Sequence, residues 1–521
     1  MARRRNRRQT GVKRLGYDPE LGDGVCVPVS AQGVDAWAEM NAFLLKERSS
    51  MVMRYPRNRV RRMLWFCLCW LAVLVLVGCA SGPRLLMPTP TLYAAHPDDG
   101  PFDAVAEELR RTEVDLLYIT DRLPDFSPEA ELPYGQVRSR SIAFGSALVE
   151  MTPVADWQTL ERESLLAERT QDIQLALGPV KELDRFPLEP YDIERTASGR
   201  ILRSPGVMTR HKLATEAFRR ELQRRLKSAP SKQVMLYVHG FNETFATAAY
   251  TAAELCHFFA HDQVCGYFTW PASSSGNFLL SYTTTTESAE YSVGHLKKAI
   301  RMIVQTPGVE GVQLLAHSRG SAVLLSALRE LAIESIAAGI PPLQSLKIEN
   351  VVLMSPDIDV DVATQKVEAF GSDPDLIAHW DNEFVPDLLH GRLTIYASPE
   401  DRALRLSKFL FRSKHRVGQL RPEDISPAGQ AYFSKWGEMD LVVYEGKRTD
   451  IFGHSYFTSN PDVSSDLIQL VRFGRAPGEP GRSLVKTGPV TWEFPSGAAQ
   501  DIARAGGEAA GARVGAGEGN E

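Results

Sequence analysis

The feature that most constrains the fold of this 521-residue chain is the pentapeptide Ala316-His317-Ser318-Arg319-Gly320. A short, mostly apolar run, Val312–Leu315, precedes it and predicts a buried strand, and the residues from Ser321 to Leu331 carry apolar side chains at helical spacing. A strand that passes directly into a helix through a serine must turn tightly, and small residues must flank the turn. This geometry exposes the serine hydroxyl and places the next backbone N–H at a helix N-terminus.

The same alternation of strand and helix extends along most of the chain. Short apolar runs rich in β-branched and aromatic residues recur, and patterns of helical spacing separate them. This order predicts an α/β fold in which helices cover both faces of a mostly parallel central sheet. Besides Val312–Leu315, the predicted strands are Asp115–Thr120, Ser141–Gly145, Val234–Val238, Gly266–Trp270, Ile348–Met354, Leu393–Ala397 and Leu441–Tyr444.

Composition indicates a folded protein and gives no sign of a nucleic-acid partner. The chain is 44% hydrophobic and 24% charged, which is ordinary for a globular protein. Its formal net charge is -5, and the one strongly basic run, Arg3–Arg8, has no aromatic residues interleaved with it. We therefore predict that the chain does not bind nucleic acid.

A targeting segment explains the basic start of the chain better. Four arginines between Arg57 and Arg62 precede the apolar run Met63–Val77, which as a helix would span about 22 Å, less than the membrane core of roughly 30 Å. A signal peptide is favoured, with an uncleaved anchor helix as the alternative. The following Gly78-Cys79 resembles the lipobox of bacterial lipoproteins. This resemblance implies a lipidated Cys79 and, because Ala80 is not acidic, an outer-membrane position facing the periplasm.

The position of that segment sets the predicted organisation of the chain. Met51 and Met53 stand just before the basic residues, so either is a candidate for the true start. Pro-rich sequence after Cys79 predicts a tether, and Gly, Ala and Pro dominate from Gly474 onward. The predicted segments are a non-native or disordered extension (1–50), a lipoprotein signal peptide (51–78), a tether and N-terminal segment (79–113), the α/β domain (114–473) and a disordered tail (474–521).

Two cysteines would remain unmodified in the mature protein, Cys256 and Cys265. In an oxidising compartment they could form a disulfide, or they could be separate buried thiols. His257 and His261 between them give a metal-like spacing, but the intervening apolar residues indicate the buried face of a helix. We predict no metal and no cofactor.

Candidate catalytic residues follow successive predicted strands, and the carboxyl ends of parallel strands meet at one edge of a sheet. Ser318, at the sharp turn, is the predicted nucleophile. A serine nucleophile needs a histidine to take its proton and a carboxylate to orient that histidine. His454 is the predicted base, since it follows the last predicted strand. Asp401 is the preferred acid, and Asp357 and Asp359, which follow the preceding strand, are its competitors.

An oxyanion hole built from backbone N–H groups would complete such a site. Arg319 would supply one group at the turn, and the loop after Val238 would supply the other, from Phe241 or alternatively Asn242. His239 precedes the nucleophile in the chain, so we expect it to brace that loop rather than act as base. The Arg319 side chain would either orient an anionic substrate group or pair with a local carboxylate.

Several separated motifs together resemble one bacterial α/β-hydrolase family, which is esterase/lipase-like and catalogued as a domain of unknown function. The resemblance covers roughly 114–473 and implies the α/β-hydrolase fold and a Ser-acid-His hydrolase, without implying a substrate. It departs at Arg319, where methionine is commoner. The motifs are Val238-His239-Gly240-Phe241-Asn242, Thr269-Trp270-Pro271, Glu287-Ser288-Ala289, Ala316-His317-Ser318, Ser355-Pro356-Asp357-Ile358-Asp359, Asp401-Arg402-Ala403-Leu404 and Gly453-His454-Ser455-Tyr456-Phe457.

Two hypotheses for function follow. The first is an envelope-anchored serine hydrolase that acts on a small-molecule ester or acyl substrate and contacts the membrane through lipidated Cys79, with amide or peptide cleavage as a variant. The second is a non-catalytic envelope interaction protein on the same scaffold. The presence of all three catalytic residue types favours the first.

Overall fold

The computed structural model describes residues 82–272, 278–368, 387–448 and 450–495. The strands of this part are β1 (Glu113–Pro124), β2 (Tyr134–Thr152), β3 (Gln174–Arg185), β4 (Ile193–Arg195), β5 (Ile201–Arg203), β6 (Gln233–Val238), β7 (Val264–Thr269), β8 (Gly311–His317), β9 (Ile348–Met354), β10 (Leu393–Ala397), β11 (Met439–Val443), β12 (Val485–Lys486) and β13 (Thr491–Glu493).

The α-helices of the described residues include short single turns as well as long crossover helices. They are α1 (Thr91–Ala95), α2 (Trp157–Leu165), α3 (Pro205–Ser228), α4 (Phe245–Phe258), α5 (Phe278–Val304), α6 (Gly320–Ala337), α7 (Pro342–Leu346), α8 (Val360–Glu368), α9 (Arg402–Phe411), α10 (Pro427–Trp436), α11 (Tyr456–Ser459) and α12 (Pro461–Val471).

One eleven-stranded sheet organises these elements, in the order β12-β13-β11-β10-β9-β8-β6-β7-β1-β2-β3. Neighbours from β13 to β1 pair in parallel, and antiparallel strands extend both edges. Parallel neighbours need crossover connections, which the long helices supply. The predicted α/β architecture is confirmed.

Helices on both faces give the sheet two apolar cores. Alternate residues of β6 point to opposite faces: Val234 and Leu236 enter one cluster of buried residues, whereas Met235 and Tyr237 enter the other. All four are 0% exposed. Burial on both faces explains why the central strands are continuously apolar instead of alternating.

The segment predicted to be a tether is packed against the domain over much of its length. Leu86, Met87 and Tyr93 are at most 4% exposed, and the Tyr93 hydroxyl donates to the backbone oxygen of Phe258 at 2.6 Å. The carboxylate of Glu254 in α4 accepts the backbone N–H of Met87 at 3.1 Å. The tether prediction is therefore wrong for these residues, because their apolar side chains bury surface that the prolines alone did not indicate.

The predicted disordered tail is also wrong for its first part. Residues 474–495 continue the fold, and β13 pairs in parallel with β11, so β11 is not the last strand of the sheet. Arg482 lies in this part and forms a bidentate ion pair with Asp466 of α12, with N–O distances of 2.9 and 3.1 Å. The residues beyond 495 lie outside the described part of the chain.

Removing the Arg482 charge is expected to destabilise the domain. Arg482 is 1% and Asp466 6% exposed, so Arg482→Met would leave a buried carboxylate without its cation. Such a loss costs about 3–5 kcal/mol of the free energy of unfolding. Urea unfolding measures it, with Lys486→Met on exposed β12 as the matched control. A cost below about 1 kcal/mol would show that the ion pair made by residues 474–495 does not stabilise the domain.

No helix among the described residues is long and apolar enough to cross a membrane. The signal segment 51–78 and Cys79 lie outside those residues.

Candidate active site

The predicted turn at Ser318 joins β8 to α6 directly. Ser318 has φ +51°, in the left-handed region that a residue other than glycine adopts at a cost. A Cβ on Gly320 would lie 2.4 Å from the backbone oxygen of His239 and 2.5 Å from that of Val238, so only glycine fits there. Gly240 is equally restricted, because its Cβ would lie 2.7 Å from the Ser318 Cβ. The turn at Ser318 and the loop after β6 are therefore in close contact.

His454 and Asp401 form a hydrogen-bonded pair at the carboxyl edge of the sheet. The distance between His454 Nδ1 and Asp401 Oδ2 is 2.6 Å, and Asp401 is fully buried. The other carboxylate oxygen, Oδ1, accepts the backbone N–H of Leu404 at 3.0 Å, which caps α9. Burial disfavours the charged imidazole, but the Asp401 carboxylate outweighs it and raises the pKa of His454 above its ordinary value. Of the predicted acids, Asp401 is the one paired with His454.

The two competing acids make other contacts. Asp357 is 2% exposed and lies 3.7 Å from Arg319 and 3.4 Å from Arg416. Asp359 accepts the backbone N–H of Asp361 at 3.0 Å, at the start of α8. The Arg319 side chain thus pairs with a local carboxylate, one of its two predicted roles.

His317, the residue before Ser318, contacts His454, whereas Ser318 itself makes no hydrogen bond to the pair. The ring of His317 is 4.7 Å from the ring of His454, centroid to centroid, and the backbone oxygen of His454 accepts the Ser355 hydroxyl at 3.1 Å. The Ser318 N–H donates to Met354 at 2.9 Å. Among the described residues, the Ser318 hydroxyl makes no hydrogen bond to the His454 imidazole. Catalytic hydrogen bonds are often long in unliganded enzymes and tighten when substrate binds.

The predicted oxyanion groups flank Ser318. Arg319 occupies the N-cap position of α6, where backbone N–H groups point out of the helix. Phe241 follows Gly240, its ring lies 5.0 Å from the Tyr282 ring, and Asn242 has φ +62°. The roles of Phe241, Asn242 and Arg319 in an oxyanion hole stay predictions.

His239 braces the loop after β6, as expected. The ring stacks on Trp270 at 5.4 Å, and its Nε2 accepts the Trp270 backbone N–H at 3.0 Å. The Trp270 indole in turn donates to the backbone oxygen of His239 at 2.9 Å. Complete burial lowers the pKa of His239 to about 4, so the imidazole is neutral at pH 7.

Two carboxylates at the site were not predicted from the sequence. Glu243 accepts the Gly240 N–H at 3.2 Å and lies 3.4 Å from His317 Nδ1. Burial opposes its ionisation, but the hydrogen bond to His317 and the nearby imidazoles hold its pKa at about 2. Asp450 accepts the backbone N–H groups of Gly453, His454 and Ser455 and so shapes the loop that carries His454. The only sequence signal was their closeness to the His-Gly-Phe-Asn and Gly-His-Ser motifs.

Cys256 and Cys265 are joined by a disulfide between the end of α4 and β7. This decides between the alternatives left open by the sequence, since a disulfide leaves no thiolate for a metal. His257 instead meets Ser164, with its Nε2 2.7 Å from the hydroxyl.

Comparison with known proteins agrees with the fold. Residues 214–472 match the family described as "Alpha/beta hydrolase of unknown function (DUF900)". This matched part is an α/β-hydrolase domain. It runs from α3 to the end of α12 and includes Ser318, Asp401 and His454.

Other comparisons add little to the α/β-hydrolase assignment. None of the curated proteins matches. Carboxyl esterase 2 from the mycorrhizal fungus Tuber melanosporum is 12% identical, with a TM-score of 0.22 over 46% of this chain and 75% of that one. The tryptophan synthase α subunit from Legionella pneumophila is 14% identical, with a TM-score of 0.16 over 44% and 79%. Scores this low carry no argument about function.

Proposed function

We propose that this α/β hydrolase is an envelope-anchored serine hydrolase that cleaves carboxylic esters through an acyl-enzyme on Ser318. The observation that carries the proposal is the 2.6 Å contact between His454 and Asp401, beside a serine held in a left-handed turn. A histidine paired in this way has one ring nitrogen fixed to the carboxylate, which leaves Nε2 to exchange a proton.

The reaction follows from these positions. The Ser318 hydroxyl attacks the ester carbonyl and passes its proton to His454, while the backbone N–H groups of Phe241 and Arg319 stabilise the oxyanion. Collapse of the tetrahedral intermediate breaks the bond to the alcohol, which takes the proton from His454. Water then attacks the acyl-enzyme with His454 as base, releasing the acid and restoring Ser318.

An envelope location is part of the proposal. A disulfide between Cys256 and Cys265 suits an oxidising compartment. The basic and apolar segment before Cys79 would direct export, and lipidation of Cys79 would hold the domain at the membrane, facing the periplasm. Palmitate labelling that disappears in Cys79→Ala supports the anchor, and labelling that persists contradicts it.

A fluorophosphonate probe tests the nucleophile directly. We expect one adduct per folded chain, located by mass spectrometry on the peptide that contains Ser318 and lost in Ser318→Ala. Ser321→Ala is the matched control, since Ser321 lies three residues along and is fully buried. An adduct on another residue, or none on folded protein, would contradict the proposal.

The pH dependence of hydrolysis should report His454. The base works only as the neutral imidazole, so kcat/KM should rise with pH through the pKa of His454. Because Asp401 raises that pKa, the midpoint should lie above the ordinary imidazole value of about 6.5. In Asp401→Asn burial remains while the strongest of the stabilising carboxylates is lost, so an NMR titration of His454 should show a lower pKa than in the wild-type protein. An unchanged pKa would disprove the coupling.

A further inference from the structure

A cavity of about 600 Å³ lies beside the first turn of α6. It is bounded by α5, α6, α8 and the segment that follows α9, and we call it the arginine cavity. Arg319, Lys366, Phe411 and Arg416 are among the residues that line it. Arg319, the residue after Ser318, connects the cavity to the proposed nucleophile, which does not itself line it.

The guanidinium groups of Arg319 and Arg416, which line the arginine cavity, both face the carboxylate of Asp357. Arg319 is 8% and Arg416 3% exposed, and both lie within 3.7 Å of Asp357. The Asp357 oxygens are already hydrogen bonded to hydroxyl groups: Oδ1 accepts from Ser407 at 2.5 Å, and Oδ2 accepts from Tyr282. One negative charge, with its acceptor oxygens occupied by hydroxyls, faces two buried positive charges.

Arg416 keeps unused hydrogen-bond donors. Both its Nε and its Nη2 are fully buried: Nε lies 3.4 Å from Asp357 Oδ1 without making a hydrogen bond, and Nη2 has no hydrogen-bond partner among the described residues. The group is held in place by stacking, with its Cζ 4.7 Å from the Phe411 ring centroid, and Arg319 lies 4.9 Å from the same ring. A buried charged donor without an acceptor is costly, and a ligand that supplies acceptor oxygens would remove that cost.

The remaining charged residues that line the cavity are more exposed than Arg319 and Arg416, and they include the exposed cations Arg412 and Lys414. Lys366 is half-buried and donates to the Ser326 hydroxyl. The carboxylates of Glu290 and Asp361 also line the cavity, but both residues are exposed, and Asp359 is engaged at the start of α8. The deep wall is therefore cationic, whereas the acidic groups lie toward solvent.

We propose that the arginine cavity binds an oxyanion carried by the substrate, a carboxylate or a phosphate, with Arg416 as the principal donor and Arg319 beside it. A guanidinium group presents a planar fork of N–H donors that matches two oxygens of either anion. The inference rests on the proposed function and narrows it: the ester cleaved at Ser318 would be one that carries a negative charge beyond its acyl carbon.

Paired substrates test the selectivity. The first is the 4-nitrophenyl half-ester of glutaric acid, which keeps a free carboxylate, and the second is its methyl ester, which is neutral. Wild-type protein should favour the free acid by tenfold or more in kcat/KM. Arg416→Gln should lower that ratio by about tenfold or more, to a value near one, mainly through KM, as expected for a lost charge-assisted hydrogen bond. Arg416→Lys should recover part of it, and Lys435→Gln, on exposed α10, should leave it unchanged.

A binding measurement separates this inference from the proposed function. Titration calorimetry on Ser318→Ala with glutarate, and separately with inorganic phosphate, should show saturable binding that Arg416→Gln abolishes, and the tighter anion identifies the preferred source. If anions bind but neither ester is hydrolysed, the cavity stands and the esterase proposal fails. If both esters are hydrolysed equally and neither anion binds to wild-type or Ser318→Ala protein, the inference is overturned, whether or not Arg416→Gln folds.

Discussion

Removing the Ser318 hydroxyl is expected to lower kcat for ester hydrolysis by about 10⁶-fold, and removing the His454 imidazole from the same chain should add little. The proposed nucleophile and base act as a unit, so loss of either removes nearly the whole contribution of both. Steady-state kinetics on Ser318→Ala, His454→Ala and the double variant measure this. The double variant should be within about tenfold of the weaker single variant.

The control for this series is Ser321→Ala, which removes a hydroxyl from the same helix. Its oxygen lies 3.4 Å from the backbone oxygen of Ala316, a weak contact whose loss should not affect turnover. If the fold-losses in kcat from Ser318→Ala and His454→Ala multiply in the double variant, the two residues act independently. More than a hundredth of wild-type activity in Ser318→Ala would place the nucleophile elsewhere.

Asp401→Asn is expected to lower kcat by about 10⁴-fold while the domain stays folded. An amide in place of the carboxylate can donate to His454 Nδ1, which favours the wrong tautomer and no longer stabilises the imidazolium. Asparagine still accepts the Leu404 N–H, so the cap of α9 is kept. Steady-state kinetics and circular dichroism together separate the chemical effect from misfolding.

Asp357→Asn gives the matched comparison, because it is the same change at the competing acid. It removes the only carboxylate that the described residues place within 4 Å of Arg416, so we expect a loss of about 3–5 kcal/mol in unfolding free energy. Its kcat should fall by less than tenfold at a temperature where the variant is folded. A reversal, with Asp357→Asn the more inactive variant, would make Asp357 the acid.

Several features of the site could be predicted because local sequence determines them. The turn at Ser318 needs small residues on both sides, and Ala316 and Gly320 supply them. The rule that parallel strands end at one edge made Asp401 and His454 candidates, and their side chains meet at 2.6 Å. The sequence did not separate Asp401 from Asp357 decisively, since both follow strands.

Other features had no local signal. Glu243 lies 74 positions before His317, yet the two side chains meet because β6 and β8 are neighbours in the sheet. The Pro-rich and Gly-rich composition near the ends of the domain predicted a tether and a disordered tail. Against this, Tyr93 bonds to Phe258, 165 positions later, and Arg482 pairs with Asp466, 16 positions earlier, and both partners are in helices.

The sequence by itself determined the kind of chain this is: alternating strands and helices, a serine at a sharp turn, and an acid and a histidine in the order of an α/β hydrolase. These properties depend on periodicity and on residues close together in the chain. Only the tertiary structure decided which carboxylate faces His454, which cysteines pair and which arginines lack acceptors. The reason is that burial and charge pairing depend on distances between segments that the sheet brings together, and those distances are not encoded in any single segment.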